Sequence, residues 1–386
     1  MERAVIVEAV RTPIGKRNGI LSGIHPAVLL ASCLQAITAR AGVDPALIED
    51  VIVGCVGQVN EQGGNVGRNA VLAAGWPEAV PATSVDRQCG SSQQALHFAA
   101  QGVMAGAYDI VVAGGVESMS RVPMATNIGF EPGTDPFAPL AERYAPVGGL
   151  QPQGIGAEML AERWGLTRTD LDDFAVRSHR LASAAADSGR FGDEMVALTT
   201  GSGEVLDRDQ GMRPATTTEV LGQLKPAFDP AHRITAGNSS QISDGASAVL
   251  VMSESRAAAL GLRARAAFHS FAVVGDDPVT MLAAPAPATR KVLDRAGLSL
   301  DDIDLFEVNE AFASVVLAWQ RDVKADPDRV NVNGGAISLG HPLGCSGARL
   351  MTTLVYQLER SGGRYGLQVM CEGGGMANAT IIERLS

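Results

Sequence analysis

Cys89 lies in Val85-Asp86-Arg87-Gln88-Cys89-Gly90-Ser91-Ser92, between a short apolar run from Ala79 to Val85 and a helical pattern. A thiol at a strand-to-helix turn faces unpaired backbone N–H groups and the positive end of a helix dipole. That setting lowers a thiol pKa and makes a nucleophile. The plainer alternative is a small buried hydrophobe. Cys371 ends a second apolar run and is followed by Glu372-Gly373-Gly374-Gly375. Glycine has no Cβ, so backbone N–H groups there can come close to a substrate oxygen. A core cysteine before a turn is the competing reading. Cys345 opens a helical pattern and ranks third. Cys33, among Leu29, Leu30 and Leu34, and Cys55, inside Val51 to Val56, read as packing.

His341, in Gly340-His341-Pro342, can take a proton from a thiol near neutral pH. A loop histidine with no chemical role is the alternative. The other histidines have duller settings. His97 follows a helical register, His179 sits on a charged helix, and His25 precedes a proline. Asn309-Glu310-Ala311-Phe312 follows the strand pattern ending at Val308. The Asn309 amide can cap the next helix, or hold a water that donates to a developing oxyanion.

These residues need a scaffold, and the pattern supplies one. Strands are expected over Ala4 to Val10, Asp50 to Val56 and Tyr108 to Ala113, the last running into Gly114-Gly115. Helices are expected over Ala27 to Arg40 and Gln93 to Ala105. The last third repeats this alternation. Strands are expected at Phe268 to Gly275, Ile303 to Val308 and Leu367 to Met370, and helices at Ala286 to Gly297, Glu310 to Lys324 and Ser346 to Glu359. Strands separated by helices imply βαβ units and a largely parallel sheet. Both halves place a reactive-type residue before a helix and close a later strand in Gly-Gly, which suggests an internal duplication. Residues 121–242 differ, with many Pro, Gly and charged residues. They read as an insertion folded over the core, with helices at Gly156 to Trp164 and Thr169 to Ser188.

Composition narrows the function. The chain has 386 residues, 46% of them hydrophobic, ample for a large core. The net charge is −11 and no Lys/Arg-rich run is present, which argues against nucleic acid as a partner. Five scattered cysteines without C-x-x-C spacing speak against a disulfide framework or a zinc site and favour a reducing compartment. Met1-Glu2-Arg3 leads straight into a strand pattern, and no stretch is long enough to span a membrane. Arg384-Leu385-Ser386 is not a peroxisomal address. The expected location is the cytoplasm. No phosphate-binding or dinucleotide glycine motif and no H-E-x-x-H occurs.

Four segments stand in order: Cys89-Gly90-Ser91, Asn309-Glu310-Ala311-Phe312, Gly340-His341-Pro342 and Cys371-Glu372-Gly373. Together they resemble the C-x-S, N-E-A-F, G-H-P and C-x-G loops of the thiolase family. Gly114 to Ser120 and Thr235 to Ser240 are similar to further family segments, and the likeness runs along essentially the whole chain. The resemblance implies an α/β thiolase fold, with two duplicated βαβαβαββ halves in a five-layer αβαβα arrangement. The first half would take residues 1–120 plus 243–265 and the second 266–386, with a coenzyme A-binding loop domain at 121–242. It also implies thiolysis of 3-oxoacyl-CoA, with Cys89 as nucleophile, His341 as base and Cys371 as the second acid and base. Asn309 would hold a water, and the backbone N–H groups of Cys89 and Gly373 would bind oxyanions. Arg213, Phe228, Ser240, Met281 and Phe312 match positions lining the coenzyme or acyl site, with Arg213 and Lys225 supplying local positive charge. Coenzyme A would be a substrate, with no permanently bound cofactor and no metal, and the assembly a homodimer or homotetramer.

The chain departs from short-chain biosynthetic members at Pro152-Gln153, where they usually carry His-Met, and at Val220 and Gln241. Gln241 is similar to thiolases that act on steroid side chains. The expectation is therefore a degradative enzyme of fatty acid β-oxidation or steroid breakdown. Biosynthetic acetoacetyl-CoA condensation, a ketoacyl-synthase-like enzyme and a catalytically silent binding protein are the alternatives.

Overall fold

The computed structural model describes residues 2–128, 134–201, 203–229 and 231–385. The first half of the chain runs β1 (Ala4–Arg11), α1 (Pro26–Ala41), β2 (Asp50–Gly54), α2 (Val66–Ala73), β3 (Thr83–Val85), α3 (Ser91–Met104) and β4 (Ile110–Ser118). An insertion carrying α4 (Gln153–Arg163) and α5 (Arg168–Asp187) follows, and β5 (Ser243–Ser253) completes the half. The second half runs β6 (Ala266–Gly275), α6 (Pro285–Ala296), β7 (Leu305–Val308), α7 (Ala313–Val323), α8 (Leu343–Ser361), β8 (Tyr365–Glu372) and β9 (Met376–Arg384).

The strand order is β3-β2-β4-β5-β1 in one half and β7-β8-β9-β6 in the other, where a parallel bridge from Val330 to Phe306 takes the place of β3. The sense of each pairing also matches. β3, β2 and β4 are parallel, as are β7 and β8 with the Val330 bridge, and the remaining neighbours of each half pair antiparallel. The duplication read from the sequence is thus present strand for strand. β1 and β6 join the two sheets through Val5–Ala267 and Ile6–Ala266.

Side-chain alternation explains the layers. Along β4, Ile110 and Val112 pack with α1 and α2 on one face, while Val111 and Ala113 pack with α3 on the other. A strand covered on both faces reads as a continuous apolar run. Helices α3 and α8 fill the space between the sheets, with Leu96 and Val103 meeting Met351, Leu354 and Leu358. Burying each such side chain contributes about 1.5–3 kcal/mol. The far face of the second sheet carries α6 and α7. The order is αβαβα.

Local signals set the helix ends. His25 Nδ1 accepts from Ala27 N–H at the start of α1, and Gly42 ends that helix at φ 66°. Thr167 and Asp170 form a reciprocal capping box before α5. Among the described residues no helix is long and apolar enough to cross a membrane.

Two expectations are corrected. β4 does not stop at Gly114-Gly115 but runs on to Ser118. A Cβ on Gly115 would lie 2.0 Å from the Gly344 carbonyl oxygen, so the glycine lets the first turn of α8 lie against the strand. The matching glycines of the second half do form a turn, with Gly374 and Gly375 at φ 80° and 77° between β8 and β9. The helix expected from Glu310 starts at Ala313. Residues 309–312 stay outside the helix, with Ser240 N–H donating to Ala311 O (2.9 Å) and Phe312 extended and bridged to Ser239. Asn309 therefore does not cap a helix.

The insertion is tied down by a buried ion cluster. Arg11 on β1 donates from Nε to Glu194 Oε1 (2.6 Å), and from both Nη atoms to the two Asp209 oxygens (2.7 and 3.0 Å). Burial alone would pull the guanidinium down, but the two carboxylates hold it above its ordinary value. Paired forks of this kind offset much of the desolvation they incur.

Candidate active site

The turn carrying Cys89 is knitted by its own hydroxyl. Ser91 Oγ donates to Gln88 O (2.6 Å) and accepts from Arg87 N–H (2.9 Å). Gln88 takes φ 49° to make the bend. Cys89 then sits just before α3, 4% exposed, on the wall of a cavity of about 210 Å³. The expectation of a lowered thiol pKa is not met in the unliganded protein. Burial, and then Glu372, push Cys89 up to about 12, against a hydrogen bond from Gln153 and one from the backbone. Desolvation outweighs the helix terminus because Cys89 is buried and no Lys or Arg lines its cavity.

His341 occupies the same cavity wall, 3% exposed. Its loop is pinned by His341 N–H donating to Gln241 O (3.1 Å). Ring atom Nδ1 lies 2.6 Å from Ser346 Oγ, and that hydroxyl donates to Pro342 O (2.9 Å). Ser346 therefore accepts from Nδ1–H. Nε2 is left bare and receives Asn309 Nδ2 at 3.3 Å. Burial, followed by Arg349, pulls the ring down to about 3, so it is neutral at neutral pH. The result is an imidazole with its basic nitrogen turned toward Asn309.

Cys371 closes β8 and is buried against the core of the second half. Burial, then Cys89 and Glu372, push it well above its ordinary value, while the Asn309 amide hydrogen-bonds the sulfur. Asn309 thus stands beside His341 Nε2 and favours the ionised Cys371 sulfur. Gly373 follows, beside the Cys89 turn. A Cβ there would lie 3.0 Å from Gln88 Oε1.

Acidic side chains brace these loops. Glu310 accepts from Ser178 Oγ (2.6 Å), Asn331 Nδ2 (3.0 Å) and Ile337 N–H (3.2 Å), joining its own segment to α5 and to the loop that leads into His341. Glu117 accepts from the N–H groups of Val56, Gly57 and Gly344, each at 2.9 Å. Glu372 differs. It is fully buried beneath Gly90, and among the described residues neither of its oxygens has a hydrogen-bond partner. Burial pushes it up to about 8 against the pull of Arg87, so at pH 7 it is largely protonated and neutral.

Of the predicted binding residues, Phe228, Ser240 and Phe312 line the cavity with Cys89 and His341. Arg213 and Met281 are not among its lining residues. Arg213 is exposed on the insertion, and its N–H donates to His179 Nδ1 (3.2 Å). Met281 packs on the core of the second half at φ 58°. Gln241 lines the cavity, and its Nε2 bonds the carbonyls of Gly211 (2.9 Å) and Ile337 (2.8 Å), tying the insertion to the His341 loop. Met119, Met124, Gln153 and Leu343 also line it and were not expected as site residues. Met119 falls in the family-like segment Gly114 to Ser120, whereas no motif marks Met124 or Leu343. Gln153 carried one signal, its departure from the short-chain pattern.

Comparison with known proteins agrees with this geometry. Residues 4–255 match the thiolase N-terminal domain, and residues 262–384 match the thiolase C-terminal domain. The steroid 3-ketoacyl-CoA thiolase FadA6 of Mycobacterium tuberculosis is 49% identical, over all of this chain and 95% of its own length. A 3-ketoacyl-CoA thiolase of Serratia proteamaculans is 47% identical over the full length of both. The crystal structure of the Bacillus anthracis acetyl-CoA acetyltransferase superposes with a TM-score of 0.91 at 38% identity, covering 100% of this chain and 99% of that one. With its two matched domains and its duplicated αβαβα core, this chain belongs to the thiolase family.

Proposed function

We propose that this chain catalyses thiolytic cleavage of 3-oxoacyl-CoA by coenzyme A, giving acetyl-CoA and a shortened acyl-CoA through an acyl group carried on Cys89. One observation carries this reading. A line of contacts runs from Cys371 through Asn309 to His341, and ends at the cavity that also holds Cys89. Relatives named 3-ketoacyl-CoA thiolase support it.

The steps follow from the protonation states. Burial favours the neutral thiol of Cys89 and the neutral ring of His341, which opposes a standing ion pair between them. Proton transfer therefore accompanies attack on a bound carbonyl. His341 Nε2 takes the thiol proton as Sγ bonds to C3 of the substrate. The C2–C3 bond breaks, and its electron pair leaves as the enolate of acetyl-CoA. The imidazolium, with a water on Asn309, faces the enolate oxygen. Cys371 gives its proton to C2. The acyl group stays on Cys89 as a thioester. Coenzyme A then enters and loses its thiol proton to the Cys371 thiolate. It attacks the thioester, and Cys89 leaves and regains its proton from His341. The backbone N–H groups of Cys89 and Gly373 receive the oxyanions of the acyl carbon. One such donor is worth about 3–4 kcal/mol.

Coenzyme A enters as a substrate past Phe228, Ser240 and Phe312, with Arg213 and Lys225 on the exposed insertion available to its phosphates. No resident cofactor takes part. The reading favours a degradative role on acyl groups larger than acetoacetyl. Condensation of two acetyl-CoA is the reverse reaction, with Cys371 as base, and likeness to an acetyl-CoA acetyltransferase keeps it as the second reading. A thiolysis assay across acetoacetyl-CoA, longer 3-oxoacyl-CoAs and steroid side-chain 3-oxoacyl-CoAs decides between them. Preference for a larger acyl group is expected, and preference for acetoacetyl-CoA reverses the choice. The same reading includes a dimer or tetramer of this chain. β3 ends the sheet with one edge unpaired, the kind of strand a second copy can extend. Light scattering tests the assembly.

A further inference from the structure

We propose that Gln153 is a further catalytic residue, whose side-chain amide donates to Cys89 Sγ and stabilises the thiolate while the acyl group is not attached. This rests on the reading of Cys89 as the nucleophile, but not on which acyl-CoA is cleaved.

Gln153 opens α4 and lines the cavity with Cys89 and His341. Its backbone is held firmly. Glu158, on the same helix, accepts from Arg233 N–H (2.8 Å), Arg233 Nη1 (2.6 Å) and Ile234 N–H (3.2 Å). Next to it, a Cβ on Gly154 would run into the Phe228 ring, and one on Gly156 would lie 2.7 Å from Thr280 O. The helix start is therefore wedged against the second half, with Gln153 on the wall of the cavity that holds Cys89.

The surroundings of Cys89 make that amide matter. Glu372 faces it from β8, Glu117 from β4 and the Cys371 thiol from the end of β8, while His341 shares the cavity wall. Each of the two carboxyls and the second thiol opposes a negative sulfur once it ionises, and burial holds all three toward their neutral forms. The side-chain group that favours one in the resting protein is the neutral amide of Gln153. A hydrogen bond to a charged group is worth more than one between neutral groups. Its loss should therefore lower the thiolate population about tenfold or more.

The test is alkylation of Cys89 in a Cys371→Ala background, mapped by peptide mass spectrometry, for Gln153→Met and Gln153→Glu. Both variants keep the length of the side chain and remove the donor. Iodoacetamide and the bulkier N-ethylmaleimide are used in parallel from pH 7 to 10. We expect Gln153→Met to slow both reagents by the same factor, about tenfold, and Gln153→Glu to slow both further once its carboxyl ionises. Rates equal to the parent, or different factors for the small and large reagent, would overturn the proposal. If one variant does not fold, the other carries the same readout. Gln153-dependent alkylation without any thiolysis would leave this inference standing and remove the proposed reaction. Thiolysis by the protein with Cys371 intact, together with unchanged alkylation in the Gln153 variants, would do the reverse.

Discussion

Asn309 Nδ2 lies 3.3 Å from His341 Nε2, and the same amide hydrogen-bonds the Cys371 sulfur. One side chain thus touches both the base and the second thiol. Substituting Asn309→Ala should cut carbon–carbon cleavage by roughly 10²–10³-fold, the usual loss for one oxyanion-site donor. Exchange of a simple acyl group between coenzyme A molecules breaks no carbon–carbon bond and forms no enolate, so it should fall far less. Equal losses in both assays would mean that Asn309 merely holds the ring.

Glu372 provides a pH test. Its folded value of about 8 lies above the ordinary 4.5. Such a group favours the fold at acid pH, and that contribution is lost as pH rises through 8. Glu372→Gln should therefore gain stability relative to the parent at pH 9 and little at pH 5, as read by urea unfolding. Ionised Glu372 also opposes the Cys89 thiolate. The variant should alkylate at the parental rate at pH 7 and faster above pH 8. Identical pH profiles would contradict the placement of this carboxyl.

Buried histidines, His97 and His341 foremost with His179 at about 4, set the acid limit. Burial pulls His97 and His341 each down to about 3 from an ordinary 6.5. The unfolded chain binds these protons as pH falls through 6.5, and the folded chain does not until near 3. Stability present above pH 6.5 is therefore lost between those values. His97 Nε2 lies 2.7 Å from Thr380 Oγ1, a contact that Gln can keep. His97→Gln should flatten the fall in unfolding midpoint between pH 6.5 and 4. A slope equal to the parent would exclude His97 as a contributor.

Much of this arrangement was legible in the chain itself. Cys89 and Cys371 were visible because each stands where an apolar run meets glycine, and His341 because its loop is bounded by Gly340 and Pro342. The duplicated strand and helix alternation survived in hydrophobic period. What could not be read depends on distant partners. Gly115 stays in a strand because Gly344 approaches it, more than two hundred residues away. Asn309 to Phe312 stay outside the helix because residues 239 and 240 pair with Phe312 and Ala311. The raised Cys89 pKa comes from burial, which no local motif reports. Arg213 and Met281 carry suitable side chains, but their loops place them off the cavity wall.

The central claim is that Cys89 carries the acyl group and Cys371 handles the proton on carbon. Intact-mass and peptide mapping after mixing with a 3-oxoacyl-CoA, in the parent, Cys89→Ala and Cys371→Ala, tests it most directly. The account predicts an acyl adduct on Cys89 in the parent and none in Cys89→Ala. Cys371→Ala should take an acyl group from a simple acyl-CoA yet fail to split the carbon–carbon bond. An adduct on another residue, or thiolysis by Cys89→Ala at the parental rate, would contradict it.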